Sequence, residues 1–477
     1  MSLSRREFVA AGAALVAGGG VLRGAGLAGA QSGGLTRAQL SALRDAVRGQ
    51  VFVPGSSGYN SARLVFNTRY DGIRPPAVVR VRGAGDVKRI VQWANRFDIQ
   101  LVARSGGNAY NGGSTSKTAV VVDVGGLAGI SIDGTTVTAG PGTRNIDLYT
   151  AVARRGLAVP SGSCPNVCVG GLSTGGGMGL AGRALGLMLD RVVGFDVVTA
   201  DGKVRTVNAN ANPDLFWALR GGGGNFALIT AVHLKGRRLN NAAWFFASYP
   251  ASARAEVLGT WDDLIADAPD ALTSICTLTN DRVTAFGQYL GGVGAMRRLV
   301  APLSRIGGAS FTSGTDSWMS LQRRWAGCSE SESVASCRDV PRTAFDASSV
   351  YIAKPLTTAA REAWVAAADG GATLICDSYG GAIGDVAPNA TAFVHRNVRF
   401  SVQIASYTPL STAKPAVAQA RAKLLPFSNG QAYQNYADLA IKNPQKAYYG
   451  ANLPRLKRIK ASVDPDNRFT TAQAIRA

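Results

Sequence analysis

The stretch from Pro160 to Gly179, PSGSCPNVCVGGLSTGGGMG, brings Cys164 out of a small-residue turn and follows it with two glycine clusters. An ionised thiol is a nucleophile. Backbone without side chains lets amide N–H groups come close to a flat or anionic ligand. A hairpin needs one such glycine, not the run Gly175, Gly176, Gly177 with another at Gly179. Upstream, Arg104-Ser105-Gly106-Gly107-Asn108-Ala109-Tyr110-Asn111-Gly112-Gly113 follows an apolar run, and downstream Arg220 to Phe226 reads RGGGGNF. Three such turns predict a large, extended cofactor held at several points. No Gly-Lys-Ser/Thr follows the first, so it is not a nucleotide-hydrolase loop, and the Rossmann spacing with its ribose-binding acid is absent. Arg399, Ser401 and Gln403 alternate, which puts them on one strand face. The only histidines are His233 and His395, and no CxxC occurs, so no metal site is expected.

These groups need a scaffold, and the hydrophobic pattern supplies one. Leu35 to Gly49 has helical spacing. Ala77 to Val81 reads as a strand, with Asp86 as the cap of a helix Val87 to Phe97. Leu101 to Ala103 and Ala119 to Val124 read as buried strands. Hairpins are expected at Asp133-Gly134 and Asp201-Gly202, helices at Asn145 to Arg154 and Pro213 to Leu219, and a strand at Ala227 to Leu234. This alternation predicts an α/β cofactor domain. From about Asn240 the glycine clusters thin out. Strand-like runs (Trp244 to Tyr249, Val283 to Tyr289, Arg399 to Ile404) then alternate with helical ones (Arg254 to Ala266, Ala359 to Ala368, Thr412 to Leu425), which predicts an antiparallel sheet carrying helices.

The chain has 477 residues and a formal net charge of +21. That field favours anionic partners, but the Lys and Arg are scattered without aromatic interleaving, so nucleic acid is not an expected partner. Ser4-Arg5-Arg6-Glu7-Phe8, an apolar Gly/Ala-rich run and Ala28-Gly29-Ala30 read as a twin-arginine leader over residues 1–30 with a cleavage site. The run is too short for a good membrane span, and no stable membrane insertion is expected. Cleavage would remove three arginines and one glutamate and leave +19. Export permits disulfides. Cys328 and Cys337, flanking a polar loop, are the best candidates, with two free thiols as the alternative.

Taken together, RSGGNAYNGG, SCPNVCVGG with GGGMG, DLFWALRGGGGNF and YYGANLPRLKRIKASVDPDNRF resemble the berberine-bridge-enzyme-like FAD-linked oxidases of the vanillyl-alcohol-oxidase superfamily. The resemblance runs from about Arg69 to Phe469. It implies an α+β fold: a two-subdomain, PCMH-type FAD domain over 69–239, a helix-covered antiparallel substrate domain over 240–430, and a segment 431–477 returning to the FAD domain. It implies that Arg104, Ser105, Gly106, Gly107 and Asn108 hold the FAD diphosphate through backbone N–H groups, with Val169, Gly170, Gly175, Gly176 and Met178 also lining the cofactor. Tyr448 and Asn452 would contact the flavin region. Cys164 stands where relatives bond flavin C6, and Asn108 where many have the histidine bonded to the 8α carbon. An amide cannot form that bond, so at most one covalent link is expected, with non-covalent FAD as the alternative. Val167 stands where a small branched residue leaves room for O2. Tyr433 matches the family base and Gln403 a substrate-side glutamine, while His395-Arg396 reads as structural. Met178 replaces a tyrosine of the alcohol-oxidising plant members.

The implied activity is an exported oxidase: hydride passes from a substrate carbon to flavin, a base takes a proton, and O2 is reduced to peroxide. A sugar, an alcohol or a secondary metabolite would serve as substrate. The alternatives are a dehydrogenase with another acceptor, or a catalytically weakened surface binding protein on the same fold. Oligomeric state is not legible.

Overall fold

A computed structural model describes residues 34–407 and 409–477, so the leader expected over 1–30 lies outside the described residues. Strands β1 (Gln50–Phe52), β2 (Val78–Arg80), β3 (Leu101–Arg104) and β4 (Val120–Asp123) form one sheet in the order β1-β2-β4-β3. β2, β4 and β3 run parallel. Parallel strands are buried on both faces, which explains the unbroken Val120-Val121-Val122 run. Helix α1 (Ala84–Phe97) lays Ile90, Val91 and Ala94 on this sheet. It starts earlier than expected, with Gly83 as its N-cap. Asp86 is therefore not the cap: it lies in the first turn and accepts from the Arg48 and Arg82 N–H groups.

The second sheet contains β5 (Ile130–Asp133), β6 (Thr136–Ala139), β8 (Val192–Val198), β9 (Val204–Val207) and β10 (Leu228–Lys235), in the order β5-β6-β10-β8-β9. Both expected hairpins are present. β7 (Leu157–Ala158) pairs with β11 (Arg237–Arg238). Helices α2 (Asn145–Ala153) and α3 (Val169–Gly175) flank the Cys164 turn, which leaves β7 and enters α3.

The third sheet is antiparallel throughout. Its strands are β12 (Asn241–Pro250), β13 (Leu272–Leu278), β14 (Arg282–Tyr289), β15 (Ser310–Ser317), β16 (Asp346–Ile352), β17 (Thr373–Ser378) and β18 (Phe400–Ser406), in the order β15-β12-β14-β13-β17-β18-β16. Helices α4 (Arg254–Asp267), α6 (Thr358–Asp369) and α7 (Leu410–Leu424) cover one face through Trp261, Trp364, Val417 and Leu424, packed on Phe400, Val402 and Ile404. The alternate residues Ser401 and Gln403 therefore face the other way, as expected. Arg399 does not join them. It precedes β18, and its guanidinium binds Asp262 on α4. Helix α5 (Trp318–Trp325) and the Cys328–Cys337 disulfide lie in the connection from β15 to β16, and the expected bridge is present with a Cα–Cα distance of 5.6 Å.

The C-terminus returns to the first sheet. After α8 (Leu453–Val463), Phe469 bridges Leu101 in parallel, and the Thr470 N–H donates to the Leu101 carbonyl at 3.0 Å. Among the described residues no helix is long and apolar enough to cross a membrane, and no cluster fit for a metal occurs.

One buried ion pair joins the third sheet's connections to the cofactor half. Arg396 binds Asp190 through both nitrogens, each at 2.8 Å, with the arginine fully buried. Removing one partner leaves the other charge uncompensated, which typically costs about 3–5 kcal/mol. Asp190→Ala is expected to lower the denaturant midpoint by that amount at constant slope. A loss below about 1 kcal/mol would show the pair to be dispensable.

Candidate functional site

The first wall of the site is the loop leaving β3. Arg104 is buried; its Nη2 donates to the Ala62 carbonyl and to Asp123, while Nη1 has no partner. Beyond Ser105, the amide N–H groups of residues 106–110 donate to no acceptor among the described residues. The buried hydroxyls of Ser114, Thr115 and Thr143 are likewise unpartnered. Buried donors such as these hydroxyls are rarely left unsatisfied, and together with the open amides of the half-buried loop they fit an acceptor-rich, anionic ligand. Gly106 is required here: a Cβ would lie 2.7 Å from Asn108 Oδ1 and 2.9 Å from Cys168 Sγ.

The second wall is the turn carrying Cys164. Cys164 and Cys168 are both free thiols; Cys168 is buried and donates to the Gly142 carbonyl at 3.2 Å. Cys164 is open to solvent although protein crowds it closely, as befits a group lining a cleft. Burial raises its pKa, Asp377 adds to the rise, and a bond from Ser163 opposes it. Val167 is half-buried and its carbonyl accepts from the Asn145 N–H. Val169 and Gly170 open α3, and the Gly170 N–H bonds Pro141.

The third wall is the face of the large sheet opposite helices α4, α6 and α7. Asp377, on β17, pairs across the ladder with Ser401 on β18, whose hydroxyl donates to it at 3.3 Å. Tyr436 faces this carboxylate and favours its charged form. Burial nevertheless pushes Asp377 up to about 7. Tyr436 stacks on Tyr110 with ring centroids 5.5 Å apart, and Gln403 Nε2 donates to the Tyr110 hydroxyl at 2.8 Å. Cys164, Asp377, Tyr110 and Tyr436 all lie within electrostatic reach of one another.

Tyr433 does not share this position. Its hydroxyl accepts from the Gly177 N–H at 2.8 Å and the Asn435 amide at 3.0 Å, it is buried, and burial pushes its pKa up to about 12. Tyr433, expected as base, is thus anchored by these two bonds, and Tyr436, with its ring 4.8 Å from that of Tyr433, also faces the carboxylate. Glycines 175–177 serve this anchor: a side chain at Gly175 would collide with Asn435, and one at Gly176, whose φ is 150°, with the Tyr433 hydroxyl. Met178 packs with Tyr433, Tyr351 and Phe393.

Other expected ligands are also braces. Asn452 spends its amide on the carbonyls of Pro388, Thr391 and Ala392. The Tyr448 hydroxyl bonds Asp438, and its carbonyl faces His395 Nε2 at 2.9 Å. His395 stacks on Tyr351, and burial lowers its pKa to about 4, so it stays neutral. In the RGGGGNF turn the Gly221 and Gly223 N–H groups bond Thr174, and the Asn225 carbonyl accepts from buried Lys460. Asp377 was missed from sequence. Its one signal is an acid in the otherwise apolar strand Leu374-Ile375-Cys376-Asp377.

Unsatisfied amides and hydroxyls for a diphosphate, a thiol beside the cleft and an aromatic, carboxylate-bearing roof together fit FAD. Comparison with known proteins agrees. Residues 75–208 match the FAD binding domain, and residues 432–476 match the berberine and berberine-like domain. The FAD-linked oxidoreductase YgaK of Bacillus subtilis is 28% identical over 90% of this chain and 96% of its own. A chitooligosaccharide oxidase of Gibberella zeae is 26% identical over 88% of this chain and 91% of its own. The structure of Physcomitrella patens BBE-like 1 superposes with a TM-score of 0.86 at 27% identity, covering 92% of this chain and 98% of that one. The chain carries an FAD binding domain and a berberine-like domain, is similar over most of its length to the berberine-bridge-enzyme-like FAD-linked oxidases, and is an FAD-dependent oxidoreductase.

Proposed function

We propose that the protein oxidises a hydroxyl-bearing carbon of a carbohydrate and passes the electrons to O2, giving peroxide, after export by its twin-arginine leader. The observation that carries this reading is the Tyr436–Asp377 pair on the sheet face opposite the Cys164 turn. Bound FAD supplies the two-electron acceptor. The chain itself must remove the hydroxyl proton. Tyr436 is placed to take it and hand its own proton to Asp377, so that neither a free phenolate nor a buried charge pair has to form. Gln403 and Tyr110 fix the ring of Tyr436 from the side. The likeness to the chitooligosaccharide oxidase supports the sugar, and the leader residues Arg5 and Arg6 support export. Cys164 is the one residue at a family linkage position able to hold FAD covalently, because Asn108 cannot. The direct test is peroxide release during a screen of oligosaccharides and phenolic alcohols. Flavin reduced by a saccharide without peroxide would point to another acceptor, and no reduction by any of them would refute the activity.

The two tyrosines are separable. Tyr436→Phe is expected to slow flavin reduction by roughly 10²-fold or more, the usual scale for a positioned base. Tyr433→Phe should change it by less than roughly tenfold. The reverse order, read by stopped-flow absorbance, would restore Tyr433 as the base.

Asp377 sets the pH response. A carboxyl raised to about 7 is protonated below that pH and cannot accept a proton. The rate of flavin reduction should therefore rise as pH increases through about 7, and Asp377→Asn should abolish this limb and cost roughly 10²–10⁴-fold. A limb unchanged in the variant would assign it to another group.

A further inference from the structure

We propose that Asn145 is a positioning residue for FAD attachment: it holds the turn that presents Cys164 to the flavin. This rests on the reading of Cys164 as the attachment point. Asn145 is fully buried at the first position of α2. Its Nδ2 donates to the Cys164 carbonyl at 3.0 Å, its Oδ1 accepts from the Ser161 hydroxyl at 2.7 Å, and its backbone N–H donates to Val167 at 2.9 Å. The side chain thus ties Ser161 to Cys164, and the backbone of the same residue holds Val167 beyond the cysteine.

The rest of α2's first turns completes the grip. The Ile146 N–H donates to Pro165, the Arg144 guanidinium to Asn166, and the Tyr149 hydroxyl to Gly162. Within the turn itself the backbone makes one long bond, Val167 N–H to the Cys164 carbonyl at 3.4 Å. The turn has little shape of its own, and α2 imposes it. From outside, α2 is held by the β15–β16 connection: Ile146 packs on the Cys328–Cys337 bridge, Arg338 binds Asp147 at 3.0 Å, and Trp318 packs edge-on against Tyr149. Attachment replaces the flavin C6–H bond with C6–S; the thiol and the ring each lose a proton, and the two electrons pass through the flavin to the O2 of the proposed activity. Such a bond tolerates little displacement, and an error of about 1 Å can cost 10²-fold in rate.

Asn145→Asp keeps the size and the acceptor for Ser161 but turns an oxygen toward the Cys164 carbonyl. Ser161→Ala removes the hydroxyl that orients the amide, together with its contact to Met188 Sδ at 3.4 Å. Purified wild type and both variants are assayed for total flavin, then acid-precipitated, and flavin is measured in the pellet and mapped to a peptide. All three are expected to bind flavin in the native state. The wild type should keep it in the pellet on the Cys164 peptide, while Asn145→Asp loses at least roughly fivefold of this attachment and Ser161→Ala a smaller part. Should Asn145→Asp fail to fold, Ser161→Ala decides. Pellet flavin equal to wild type in the folded variant overturns the role of Asn145 and leaves attachment intact. Loss of native flavin binding in parallel with attachment reduces Asn145 to a fold residue and also overturns it. Complete release from the wild type overturns attachment at Cys164, and this role with it.

Discussion

Two charges buried together, Arg396 and Asp190, set the relation between the cofactor half and the sheet above it. Burying an ion is costly unless its hydrogen bonds are complete. Here they are nearly so: Asp190 also accepts from the Leu187 N–H, and Arg396 also reaches Thr391 and the Ile383 carbonyl. Because the pair is satisfied in one arrangement only, it works as a register mark. Phe393 lies under the guanidinium and edge-on to Tyr433, so the mark is passed through aromatic contacts to the anchor and then to Tyr436. The site is assembled at a joint, and the joint is fixed electrostatically.

The same logic explains why so many conspicuous residues serve as supports. A site between two layers needs its backbone held from behind. Asn452, His395, Lys460 and Tyr448 spend their polar groups on carbonyls that no sheet ladder could satisfy. The glycine run at 175–177 belongs to this framework as well: it removes bulk so that the Tyr433 segment can approach backbone to side chain. The loop after β3 behaves differently, because its donors are left open.

What could be read from the sequence follows the range of the interactions. The hairpins at Gly134 and Gly202, the strands at Val120 and Phe400 and the disulfide are local or periodic, and they appear where the pattern places them. Arg399 was misplaced because alternation extends past a strand end that only tertiary contacts define, and Asp86 because a cap and a first-turn acid look alike. The choice between Tyr433 and Tyr436 was not legible at all. It depends on Asp377, more than fifty residues away, whose importance arises from sheet register and burial. The cofactor, by contrast, was readable, because close backbone approach demands glycine and glycine leaves a visible trace.

The parallel bridge from Leu101 to Phe469 has a consequence for how the protein is made. β3 sits at the edge of its sheet beyond β4, and its free side is completed by almost the last residues of the chain. Domains usually fold from the N-terminus as they leave the ribosome. This cofactor half cannot finish that way. Its edge waits for Phe469 and Thr470, so flavin capture follows the synthesis and docking of that distant segment.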